Sequence, residues 1–216
     1  MLVLASNSPR RRQLLDSAGW NFRVMPADVD EVIYPEETPP DYVLRLAESK
    51  ARAVGAQVDE DVIVLAADTT VVDGNKILGK PVDDEDAERM LRCLRGRTHQ
   101  VYTALAVYRV TEDKLLTDLC LTDVPIRNYS DDEMMVYIRS GDPLDKAGAY
   151  AIQHRGFHPA ETLTGCYANV VGLPLCHLTR TLEKLGVGST TDIPEMCRNN
   201  FGYQCSIYNQ ILRAGL

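Results

Sequence analysis

The sequence predicts a mixed α/β fold, with helices flanking an open sheet of parallel and antiparallel strands. Three observations predict it. Residues 62–67 are apolar at every position, as in a strand covered on both faces. Residues 100–110 and 114–126 form two long strand-like segments joined near 111–113, an antiparallel pair. Helix starts at Ser8-Pro9, Thr38-Pro39, Ser130 and Pro174 are interspersed with these strands. Strands mixed with helices in this order give an α/β or α+β chain built on one mixed sheet.

From the N-terminus, residues 2–6 read as a short apolar strand. Ser8 then caps a helix with Pro9 in its first position, and Gly19 closes it. Residues 21–26 are a second strand. Residues 28–40 are acidic and proline-bearing, hence a loop, and the next helix runs from Thr38-Pro39 to about Val54. After the strand at 62–67, Asp73-Gly74-Asn75 turns residues 69–72 back onto 76–78. Residues 83–94 are a helix, and Ser130 caps another that ends at Arg139. Residues 149–153 and 168–172 are strand candidates. Pro174 opens a helix to Leu185, and a further helix begins near Ile193.

A chain of 216 residues supports one substantial core, or one fold with two lobes. Its net charge of −8 argues against a long nucleic acid as partner, because such partners need a basic surface. The longest apolar run, 62–67, is far too short to span a bilayer, and the first residues lack the pattern of a signal peptide; a cytoplasmic location is expected. Cys93, Cys120, Cys166 and Cys176 read as reduced, buried small side chains, and packing is the favoured role for Cys197 and Cys205. The four histidines are isolated and suit local structural roles rather than zinc.

Positive charge is gathered locally. Ser6-Asn7-Ser8-Pro9-Arg10-Arg11-Arg12 joins a strand to a helix, where backbone N–H groups and guanidinium groups can hold an anion; a solvated basic turn is the alternative. Lys50 falls within the apolar stripe of Val43, Leu46, Ala47 and Val54. Its ammonium must snorkel outward or serve a buried polyanion site. Asp68 ends the apolar strand. If the first strand and this one are parallel neighbours, Asp68 and the arginine turn share one crevice; capping the next turn is the alternative. Residues 74–80 carry the spacing of a phosphate-binding P-loop, but Pro81 replaces the required Ser or Thr, so this segment is a hairpin. Any metal should be a hard ion held by carboxylates and phosphates, Mg²⁺ or Mn²⁺.

Read together, these segments resemble the Maf family of nucleotide pyrophosphatases. The markers are Leu4-Ala5-Ser6-Asn7-Ser8-Pro9-Arg10-Arg11, Asp30-Glu31, Glu48-Ser49-Lys50-Ala51, Ala67-Asp68-Thr69, Gly79-Lys80-Pro81, residues 145–153 and residues 170–175. The resemblance implies a Maf/inosine-triphosphatase-like fold with an active-site cleft between two lobes. It implies Asp68 as proton acceptor, Glu31 as an acidic cleft residue, Lys50 and Lys80 as its basic ones, and Ser8, Arg10 and Arg11 as its phosphate-binding turn; with Lys50 and Lys80 also expected on phosphate, Glu31 and Asp68 are the expected metal ligands. Arg10, Thr69 and Gln153 resemble the group that hydrolyses dTTP and UTP to the monophosphate and pyrophosphate. A homodimer is the family expectation. A binding protein that acts on cell division through a partner is the alternative in another class, and modified or purine nucleotides are alternative substrates. Two departures stand out. Residues 154–159 replace the glycine that usually follows Gln153. Residues 188–216 form an extension without a counterpart, beyond a Maf-like nucleotide pyrophosphatase domain spanning 1–187.

Overall fold

The computed structural model describes residues 1–58 and 61–213; residues 214–216 of the extension lie outside them. Six strands form one sheet: β1 (Leu2–Leu4), β2 (Phe22–Val24), β3 (Ile63–Asp73), β4 (Lys76–Leu78), β5 (Thr98–Arg109) and β6 (Lys114–Pro125). The order is β2-β1-β3-β5-β6, with β4 also on β3. β2, β1 and β3 run parallel, whereas β4 and β5 are antiparallel to β3, and β6 is antiparallel to β5. Helices α1 (Pro9–Ser17) and α2 (Pro39–Gly55) make the crossovers. Ser8 and Thr38 cap them through their side chains, with proline in the first turn of each.

The alternation of β3 separates two cores. Ile63, Leu65 and Ala67 face Leu14 and Leu15 of α1 and the C-terminal helices α5 (Tyr167–Val171) and α6 (Leu175–Glu183). Val62, Val64 and Ala66 face Val43, Ala47, Ala51 and Val54 of α2. Burial on both faces accounts for the unbroken apolar run. A third core forms the other lobe, where α3 (Asp84–Leu94) and α4 (Asp131–Arg139) pack on the far ends of β5 and β6. Ser130 and Glu133 form a reciprocal capping box on α4.

The structure corrects several expectations. Asp68 does not end a strand, because β3 continues to Asp73 through Asp68, Thr69 and Thr70. Polar side chains read as a break, yet each faces a partner or the space between the lobes. Residues 149–153 are not a strand: Ala149 has φ 61° and follows Gly148 at φ 69°. Their apolar run reflects burial of Ala149, Tyr150 and Ala151 in a loop. Residues 168–172 belong to helix α5, ended by Gly172 at φ 111°, whose N–H donates to Ala168 O and Asn169 O. The β-branched Val170-Val171 pair favoured a strand, but Asn169 fixes the helix. Cys93 is exposed rather than buried.

In the extension, α7 (Ile193–Phe201) and α8 (Tyr208–Arg213) pack on α6, and Ile193 and Ile211 join the α1-side core. All six cysteines are free thiols. Cys166, Cys176, Cys197 and Cys205 line one small cavity with Tyr167, Phe201, Tyr203 and Tyr208. Among the described residues, no three His, Cys, Asp or Glu side chains are arranged to hold a metal ion. Nor is any helix of these residues long and apolar enough to cross a membrane.

Candidate active site

The cleft begins with a gap in the sheet. On one edge of β3, β1 pairs only as far as Leu65 and β4 begins only at Val71. Asp68, Thr69 and Thr70 on that edge line a cleft of about 820 Å³ between the lobes. The turn after β1 forms one wall, with Ser6, Ser8, Arg10 and Arg11; Lys80 and Lys146 stand on others. Because β1 and β3 are parallel neighbours, the arginine turn and Asp68 share this crevice.

Asp68 and Thr69 point to opposite faces of β3. On the α2 face, Asp68 Oδ1 lies 2.6 Å from Lys50 Nζ, which also lies 2.6 Å from Glu31 Oε1. The Lys50 side chain is only 12% exposed and Asp68 10%, whereas Glu31 is 56% exposed. Lys50 therefore does not snorkel; the apolar stripe of α2 carries it inward to two carboxylates. Burial pushes the Asp68 carboxyl above the usual carboxylate range, against the pull of Lys50 and Arg11. Tyr42 donates to the Glu31 backbone carbonyl at 3.0 Å, and its phenol is pushed up to about 12 by burial and then by Asp68 and Glu31.

On the other face, Arg11 acts as a clamp. Its Nε donates to Gly172 O at 2.8 Å, Nη1 to Ser6 Oγ at 3.3 Å and Nη2 to Thr69 Oγ1 at 3.0 Å. Burial lowers its pKa, yet an arginine remains cationic. Three of its five N–H groups are thus committed to protein, leaving two for a ligand. Gly172 is required here: a Cβ would stand 3.3 Å from Thr69 Oγ1, at a φ that side chains resist.

Arg10 and Lys80 line the same cleft and pair with no carboxylate among the described residues. Ser8 accepts from Arg11 N at 3.4 Å as the cap of α1. Gln153 lines the cleft and is exposed. The eight residues Ser8, Arg10, Arg11, Glu31, Lys50, Asp68, Thr69 and Lys80, expected to act together, therefore border one cavity with Gln153. The departing segment 154–159 does not line it. Phe157 instead stacks on Tyr137 at 4.3 Å, and Arg127 holds the carbonyls of Phe157 and His158.

Sequence reasoning missed Lys146 and Thr103. Lys146 is 8% exposed and reaches Asp142 O at 2.8 Å and the Asp145 carboxylate. Asp145-Lys146 stood out only as a marker, since nothing local shows that its lysine turns inward. Thr103 lies behind Thr69 on β5, and only the strand register reveals the pairing.

A mixed sheet with flanking helices thus opens at one edge onto a cleft lined by Arg10, Arg11, Lys50, Lys80 and Lys146 and headed by the buried Asp68, an arrangement whose charge suits a polyanion. The chain belongs to the Maf-like protein family, whose model matches residues 1–185. A dTTP/UTP pyrophosphatase from Citrifermentans bemidjiense is 47% identical over 86% of this chain and 95% of its own length. Another from Anaeromyxobacter dehalogenans is 49% identical over 86% of this chain and 94% of its own. Among solved structures, a HAM1 protein from Coxiella burnetii covers 74% of this chain and 90% of that chain, with 15% identity and a TM-score of 0.42.

Proposed function

We propose that this protein hydrolyses nucleoside triphosphates, dTTP and UTP foremost, to the monophosphate and pyrophosphate. The observation that carries the proposal is the buried Asp68 at the head of a cleft whose Arg10 and Lys80 have no carboxylate partner among the described residues. The relatives named dTTP/UTP pyrophosphatase support the substrate, as do Arg10, Thr69 and Gln153 on the cleft wall.

Asp68 is the proton acceptor. Its burial raises its basicity toward the working pH, while Lys50 and Arg11 keep the carboxylate form accessible. It takes a proton from the water that attacks the α-phosphorus. The bond from that phosphorus to the bridging oxygen breaks, and pyrophosphate departs. Ser8, Arg10, Arg11, Lys50 and Lys80 hold the phosphate oxygens and offset the charge that develops on them.

Glu31 and Asp68 converge on one cation, Lys50, so their oxygens fit a hard divalent ion that takes its other ligands from water and phosphates. Mg²⁺ or Mn²⁺ held there would act as a Lewis acid on the phosphoryl oxygens. The proposed boundary between pyrophosphatase domain and extension falls at 187/188. A homodimer rests on the resemblance alone, and light scattering of the purified chain tests the assembly.

Asp68→Asn removes the base while keeping the side-chain shape. We expect pyrophosphate release from dTTP and UTP to fall by at least ~10³-fold, with an unchanged circular dichroism spectrum. Near-normal turnover would refute the assignment.

A further inference from the structure

We propose that Thr103 is a positioning residue that makes Thr69 a pure hydrogen-bond acceptor toward the substrate, and so favours a base that carries an N–H. This rests on the pyrimidine triphosphate activity proposed above.

Thr103 is fully buried, and its Oγ1 lies 3.0 Å from the Asn169 backbone carbonyl. A carbonyl only accepts, so the single hydroxyl proton of Thr103 is spent there. Thr69 Oγ1 lies 2.9 Å from Thr103 Oγ1, and with that proton spent, Thr69 must be the donor between them. Arg11 Nη2 then donates to Thr69 Oγ1 at 3.0 Å and occupies one of its two lone pairs. What Thr69 retains for the cleft is one acceptor position and no donor.

The far end of the relay is anchored. Asn169 is fully buried, and its Nδ2 donates to Val101 O at 3.0 Å and Thr122 Oγ1 at 2.9 Å. Its carbonyl is thereby held against Thr103, so the chain of donors has one direction only. Uracil and thymine carry a proton on N3, whereas cytosine has a bare lone pair there. An acceptor-only Thr69 suits the first two and leaves two lone pairs opposed with the third. Sites that hydrogen-bond a substrate N–H reject analogues lacking it strongly, because the site's polar group is left unpaired.

The test compares UTP with CTP, as kcat/KM, in the wild type, Thr103→Val and Thr103→Ser. The wild type should prefer UTP by about tenfold or more. Thr103→Val frees the Thr69 proton, so the hydroxyl can turn and donate to cytosine N3. Its UTP-to-CTP ratio should fall at least fivefold, chiefly through a lower KM for CTP, while Thr103→Ser restores the preference. A Thr103→Val variant that loses both activities equally would show a packing role only and overturn the proposal, as would a wild-type ratio near one. If no triphosphate is hydrolysed, the activity proposal fails independently. The same ratio is then read from calorimetric binding of UTP and CTP, with the same two outcomes.

Discussion

Lys50 shows how a residue can break a pattern for a reason. An ammonium in an apolar stripe is costly unless paired, and here two carboxylates meet it at 2.6 Å each. Its cation lowers the Asp68 pKa against the effect of burial. Removing it in Lys50→Met should therefore raise that pKa. The base must be unprotonated, so the acid limb of the kcat/KM profile should move to higher pH; a limb unmoved or shifted to lower pH would contradict the pairing. His99 makes a second titration prediction. It is 2% exposed, bonded to Tyr150 at 2.8 Å, and burial pushes its pKa down to about 4. The unfolded histidine, near 6.5, binds the proton more readily. Its contribution, at most ~3 kcal/mol, is thus complete above about pH 6.5 and lost as the pH falls toward about 4. His99→Gln should lose less urea stability between pH 7 and 4.5 than the wild type does; an equal loss would contradict it. Asp68 and Lys50 were legible because each interrupts an apolar pattern. The clamp made by Arg11 was not, since Gly172 and Thr69 are remote in sequence and only folding brings them together.

At the scale of elements, the cleft exists because β3 is longer than either neighbour on one edge. The sequence showed its apolar half and the hairpin arm after it but not their continuity through Asp68, because Asp68 is held by Lys50 of α2, and Thr69 by Arg11 of α1 and Thr103 of β5. Helix α5 was misread for a related reason: five residues are too few for a periodicity, and two valines outweighed the capping role of Gly172. That short helix nevertheless ties the relay together through Asn169 and Gly172. Gly172→Ala forces a Cβ toward Thr69 Oγ1 and Arg11 Nε, at 3.3 and 3.6 Å, with φ at 111°. It should cost ~1–3 kcal/mol in urea unfolding and reduce kcat/KM for UTP by ~10-fold or more, as the clamp is displaced. Wild-type values for both would remove Gly172 from the account.

For the whole molecule, the three cores place two lobes around one opening, and the extension lies elsewhere. No residue of 188–213 lines the cleft, yet Ile193 and Ile211 are buried in the α1-side core. Burying each contributes ~1.5–3 kcal/mol. A chain ending at residue 187 should melt at lower temperature, while its folded fraction keeps kcat/KM within about threefold. A larger loss of activity would place the extension in the chemistry. The mixed sheet and its helix order were largely legible before the structure, because strand burial and caps are local signals. The packing of α7 and α8 was not, since a short amphipathic helix does not name the surface it covers. Water attack at the α-phosphorus is read out by hydrolysing dTTP with Mg²⁺ in ¹⁸O-labelled water. Label should appear in the thymidine monophosphate and none in the pyrophosphate. Label in pyrophosphate, or release of inorganic phosphate in its place, would contradict it.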